Sequence, residues 1–146
     1  MARIDLVLRI ILADPPPGVV FALQGKAGAP VDVVLSDGSD LRFEVPITLT
    51  PVEGGLRPGG PFLRADSRGR FVYVASGAQA SCTAAPGSGR RAKIYLNDLA
   101  DDLALAAAEA GDVLEARVAG RARDGGAACA TVPLLQTWTR RPAVRP

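Results

Sequence analysis

The densest run of chemically capable residues is Gly87-Ser88-Gly89-Arg90-Arg91-Ala92-Lys93. Paired glycines let successive backbone N–H groups turn inward, while two guanidinium forks and an ammonium add positive charge. Such a set suits an anion, which makes Arg90, Arg91 and Lys93 the candidate ligand contacts. The plain alternative is a turn entering a strand with outward charges. Aromatic walls for a ligand are scarce, since Phe, Trp and Tyr make up 5% of the chain. Phe62, Tyr73 and Tyr95 are the candidate walls, and the two tyrosines double as proton donors.

The absence of histidine narrows catalysis sharply. It removes His-based triads, HExxH zinc sites and facial triads together. Acid–base work would fall to Tyr73, Tyr95 and Asp124. Asp32, Asp37, Asp40 and Glu44 crowd one stretch. They lack the spacing of a calcium loop, and aspartates populate turns for local hydrogen-bonding reasons. No metal and no cofactor is expected. Cys82 and Cys129 form neither a CxxC pair nor a disulfide framework. Cys129 lies among alanines and reads as a small hydrophobe, while Cys82 has only Arg90 or Arg91 to activate it. Gly25-Lys26 lacks the upstream glycine and the following Ser or Thr of a phosphate loop, and no GxSxG elbow occurs. Trp138 reads as a core plug or lid.

These residues need a scaffold, and the composition supplies one. A chain of 146 residues with 48% hydrophobic and 22% charged residues fits one soluble domain with a real core. Seventeen basic against 15 acidic residues is too balanced to imply a nucleic-acid partner. The C-terminal stretch is more basic, with Arg121, Arg123, Arg140, Arg141 and Arg145 set against Asp124. We read residues 1–138 as one β-rich domain and 139–146 as a solvated Arg/Pro-rich tail. No run approaches the ~18 apolar residues of a membrane helix. The opening run Ile4–Leu12 is broken by Asp5 and Arg9 and lacks the features of a signal peptide, so a cytoplasmic protein is expected. Abundant alanine and arginine in place of lysine fit a high-GC bacterial genome.

Periodicity places the elements. Ile4, Leu6, Leu8 and Ile10 alternate with Arg3, Asp5 and Arg9, which predicts a strand with one wet face. The Pro15-Pro16-Pro17 turn ends it. Val19–Leu23 and Val31–Leu35 are further strands, and Asp37-Gly38 predicts a hairpin into the strictly alternating Leu41, Phe43, Val45, Ile47 and Leu49. Pro46 marks that strand as an edge or a bulge. Pro51–Ser67 reads as a long loop, Arg70–Ala75 and Arg90–Leu96 as strands, and Ser76–Gly89 as a second loop. A helix is predicted after a cap at Asn97 or Asp98, with Leu99, Leu103, Ala106, Ala107 and Ala110 inward and Gly111 closing it. Val113–Val118 and Cys129–Leu135 predict a final strand pair around Asp124-Gly125-Gly126. The expected fold is mainly β with one helix (α+β), an antiparallel sandwich or small barrel of about eight to nine strands.

Four blocks of the chain carry a family resemblance. They are Ile10–Pro16 with Val20–Gln24; Gly60-Pro61-Phe62 with Arg70–Val74; Arg90–Lys93 with Leu96; and Leu114–Val118 with Asp124-Gly125-Gly126 and Cys129–Val132. In order and over most of the chain, they resemble an uncharacterised bacterial family catalogued as a domain of unknown function. The resemblance implies a bacterial cytosolic single domain and no assigned activity.

Three readings of function follow. The first is a binding module for a small anionic or amphipathic ligand, with Arg90, Arg91 and Lys93 as a basic rim and Phe62, Tyr73 and Tyr95 as walls. The second is a cofactor-independent enzyme, a cyclase or isomerase of secondary metabolism, using Tyr73, Tyr95 or Asp124. The third is an interaction module acting through an edge strand near Pro46 or the basic tail. Monomer and homodimer both remain open at this point.

Overall fold

The computed structural model describes residues 3–25, 32–67, 69–77, 90–96, 99–119 and 138–142. In chain order the elements are β1 (Ile4–Ala13), β2 (Val20–Gln24), β3 (Asp32–Leu35), β4 (Leu41–Val52) and β5 (Gly55–Gly59). Then come β6 (Leu63–Asp66), β7 (Gly69–Gly77), β8 (Arg90–Tyr95), α1 (Asp101–Ala110), β9 (Val113–Ala119) and β10 (Thr139–Arg141). The first sheet has the order β10-β9-β1-β4-β5. In the second, β3-β2-β7-β6 form a path and β8 pairs with β7. The fold is a β-rich sandwich with one helix, and the barrel alternative falls away because, among the described residues, no strand joins the two sheets.

Alternation builds the core. Leu8, Ile10, Phe43, Val45 and Leu114 from the first sheet share one buried cluster with Phe21, Leu23, Leu63, Val72 and Ile94 from the second. Trp138 joins this cluster, as its reading as a core plug expects.

Several local expectations change. Asp37-Gly38 makes no hairpin, because β3 pairs with β2 in one sheet while β4 pairs with β1 in the other. The turn instead carries the chain between sheets, alongside the earlier crossing at Asp14–Val19. The two crossings are laced together by Gly18 N–H to the Ser36 carbonyl and Ser36 N–H to the Val19 carbonyl, both 2.9 Å. Turn chemistry sets a local reversal, but which strand then accepts the chain is a matter of long-range pairing.

The predicted loop Pro51–Ser67 contains two strands. Val52 pairs with Gly55, leaving only Glu53-Gly54 as the turn, and Gly54 takes φ +90°. Pro58 lies in β5, at the border of the sheet, where a missing N–H costs no ladder bond. Pro46 lies opposite Val7 of β1, and β5 pairs only from Thr48 onward. Among the described residues, β4 therefore has one neighbour along Leu41–Ile47, a setting that tolerates proline.

The first sheet is not purely antiparallel, since β9 runs parallel to β1, Val7 opposite Val113 through Ala13 opposite Ala119. A parallel neighbour needs a crossover, and the chain reaches β9 from β8 through α1. The helix starts later than expected. Its N-cap is Ala100, with no side-chain capping bond, and Asp101 instead accepts the Leu56 N–H at 3.2 Å. The buried face also turns: Ala104 and Ala107 are buried, with Leu99, Leu103 and Ala108 packed beside them, in place of Ala106 and Ala110. Gly111 closes the helix as predicted, at φ +73°. Thr139–Arg141, read as the start of a tail, forms β10 against β9. The predicted strand Cys129–Leu135 lies outside the described residues.

Candidate functional site

The outer face of the second sheet gathers the aromatic candidates. Alternation along β7 sends Val72 and Val74 into the core, so Phe71 and Tyr73 fall on the opposite side. Their rings meet edge to face, with centroids 6.1 Å apart. Tyr95 of β8 sits across from Phe71 and tilts against it at 5.5 Å. Its hydroxyl donates to Asp66 Oδ2 at 2.6 Å. Tyr95 is nearly inaccessible and Tyr73 half-buried, so Tyr73 presents the wetter ring.

Arg64 completes the group, and sequence reasoning missed it. It lies across from Phe71 in the register, and its guanidinium carbon stands 4.9 Å over the Tyr73 ring. The side chain is exposed, and among the described residues no carboxylate pairs with it. Cations over aromatic faces are held by the ring quadrupole, which fixes a flexible side chain without neutralising it. The signal was available: Leu63-Arg64-Ala65 alternates ahead of the Gly69 turn, but the loop reading of Pro51–Ser67 hid it.

The basic candidates occupy strand positions beside this group. Lys93 lies across from Tyr73, Arg91 across from Ala75 and Arg90 across from Ser76. On the other side of β7, Gln24 faces Tyr73. Phe62 stands apart from this set, buried in the core cluster between the sheets. The structure thus brings Tyr73 and Tyr95 together and separates Phe62 from them. Asp124, Cys82 and Cys129 lie outside the described residues.

Three of the four clustered carboxylates, Asp37, Asp40 and Glu44, have a structural task. Asp37 accepts the Ser39 hydroxyl at 2.5 Å and the Ser39 N–H at 2.9 Å, and these bonds lower its pKa below the usual carboxylate value. Asp40 accepts the Asp14 N–H at 2.9 Å and pairs with Arg117 at 2.6 Å, which lowers its pKa in turn. Glu44 pairs with Arg9 at 3.2 Å. Among the described residues, no three Cys, Asp or Glu side chains are grouped to hold a metal ion.

Arg9 departs from its expected wet face. It is 4% exposed, with Glu44 on one side and Glu115 at 3.3 Å on the other. β1 is a central strand, and both neighbours place a glutamate at the level of Arg9. A single strand's alternation reports the face, not what flanks it.

Two packed sheets, one helix and a cation–aromatic contact on one sheet define a β-rich α+β domain. Within that class the chain belongs to DUF5990, a family of unknown function whose profile matches residues 6–141. The resemblance read from the four sequence blocks is to just such an uncharacterised family, and the match takes in β10. No curated protein and no solved structure shows significant similarity to the chain. No helix among the described residues is long and apolar enough to cross a membrane.

Proposed function

We propose that the chain is a small-molecule-binding domain that takes a small anionic or amphipathic ligand on the basic, aromatic part of the second sheet's outer face. The observation that carries this reading is Arg64, held 4.9 Å over Tyr73 with no carboxylate partner among the described residues. A guanidinium fixed by a ring keeps its donors for an incoming anion, and the half-buried ring offers an apolar surface beside it. The register positions of Lys93 and Arg91 on the adjacent strand add charge to the same region. Bacterial origin and a cytoplasmic setting belong to the same proposal, supported by the arginine-rich, alanine-rich composition and the two unclustered cysteines.

Isothermal titration with phenyl phosphate tests it. Arg64→Glu and Arg91→Glu should each weaken binding about tenfold or more, and added salt should weaken it in the native chain. Unchanged affinity in Arg91→Glu overturns the basic-rim reading.

The cofactor-independent enzyme is a second reading, favoured by the 2.6 Å bond from Tyr95 to Asp66. A phenol donating to a carboxylate has a proton acceptor in place, which is the arrangement acid–base chemistry uses. Any turnover by the chain should then vanish in Tyr95→Phe; full activity in that variant removes this assignment.

A further inference from the structure

The first sheet carries a separate concavity on its own outer face. β1 runs past the start of β9, and a groove of about 300 Å³ opens there between the sheet, the Gly60-Pro61 turn and the end of α1. Val7, Pro46, Pro61 and Ala108 give it apolar walls, while Asp5 and Asp112 stand at its margin. Gly60 shapes one wall: at φ +143° its Cα stacks so close to β4 that a Cβ would meet the Pro46 carbonyl oxygen at 3.1 Å. The groove's size falls at the small end of ligand sites, enough for one ring and a short side arm.

The unpaired charge that lines it is a carboxylate. Asp5 is exposed, and among the described residues it has no hydrogen-bond or ion-pair partner; Arg3, two residues back, forms no ion pair with it. Asp112 is already engaged by Arg140 at 3.1 Å. The C-terminal end of α1 points its negative pole to the same margin, with no basic residue in the last turn. The negative pole of the helix and the free Asp5 carboxylate together favour a cation there.

We propose that this groove binds a small amphipathic amine, its ammonium against Asp5 and its apolar body along Val7, Pro46, Pro61 and Ala108. The site lies on the opposite sheet from the anion-binding face and stands or falls independently of it.

Amide-resolved NMR titration of the full chain tests the assignment, with three probes: 2-phenylethylamine, 2-phenylethanol and N-acetyl-lysine methylamide. The amine should shift amides of Asp5–Val7 and Gly111–Val113 and bind about tenfold tighter than the alcohol. Asp5→Asn, at an exposed position, should keep the native spectrum and reduce that preference to near unity. Ala108→Phe should block both aromatic probes, with the spectrum itself reporting whether the variant is folded. Equal binding of amine and alcohol, or a preference that survives Asp5→Asn, overturns the cationic ligand while leaving the groove. Absence of shifts with every probe overturns the groove as a site. Binding of the lysine derivative as tight as that of 2-phenylethylamine overturns the small-molecule assignment in favour of a peptide side chain.

Discussion

Arg9 holds the middle of the first sheet by charge where its neighbours hold by packing. A buried guanidinium is costly unless its donors are met, and Glu44 and Glu115 meet them from both flanking strands. Glu115 is the more confined partner, with 17% of its side chain exposed against 49% for Glu44. Arg9→Ala removes the nearer partner of Glu115, leaving it Arg141 at 3.8 Å, and should destabilise the fold by about 3 kcal/mol in urea titration. A loss under about 1 kcal/mol would mean water reaches the site and screens the pair. Asp40 acts at the corner where the two crossings meet, clamping Asp14, whose φ of +50° is unusual for a residue with a side chain. Its pKa is lowered from 3.8 by the Asp14 N–H first and Arg117 second. The folded state thus binds this proton less readily than the unfolded chain. The stabilisation is complete above the ordinary value and is lost as pH falls through the folded one. Asp40→Asn should accordingly melt lower than the native chain at pH 7, with the difference closing in acid below pH 3.8. A difference that stays constant with pH would assign the effect to geometry and not to charge.

Elements were legible where a single strand's pattern decides its own fate, and illegible where a partner decides it. Leu41–Leu49 alternates strictly, and the structure buries every odd position from Leu41 to Leu49. β5 was masked because Gly55, Pro58 and Gly59 are poor strand formers, yet a border position asks little of them. The aromatic pair Tyr73 and Tyr95 was visible as residue types, whereas Arg64 became visible only once β6 paired with β7. Phe62 illustrates the converse: a Gly-Pro-Phe turn resembles a rim, but the residue beside Leu63 points inward to the core. The helix end was readable in full. Gly111 adopts φ +73° while its N–H reaches the Ala107 and Ala108 carbonyls, and a Cβ there meets no atom within 4 Å. The cost of Gly111→Ala is then conformational alone, about 1 kcal/mol by thermal or urea unfolding. Ala107 differs, being fully buried under the helix. Ala107→Leu overfills that contact and should cost about 2 kcal/mol, more than the glycine change.

At the scale of the whole molecule, the C-terminal strand ties the residues after Trp138 to the first sheet. β10 is short, and every residue of it is exposed, which is why its Thr-Arg-Arg sequence reads as a tail. Its energetic role lies in connections: it pairs with β9, Arg140 meets Asp112 at 3.1 Å, and Arg141 lies 3.8 Å from Glu115. Glu115 is also the partner of Arg9, so the outermost strand and the central strand share one carboxylate. Just before β10, Trp138 enters the core at 6% exposure, its Nε1 without a hydrogen-bond partner among the described residues. The lone tryptophan of the chain therefore reports on the closure of this edge. In the full chain its emission should be blue-shifted and shielded from iodide, and it should unfold together with the far-UV circular dichroism as one transition. A chain ending at Trp138 loses the β10 ladder and both arginine contacts while keeping the indole. Its emission should move to the red, iodide should reach it, and the melting temperature should fall. If the truncated chain instead kept a blue, shielded indole and an unchanged melting temperature, residues 139–146 would be a dispensable tail and the domain would end at Trp138.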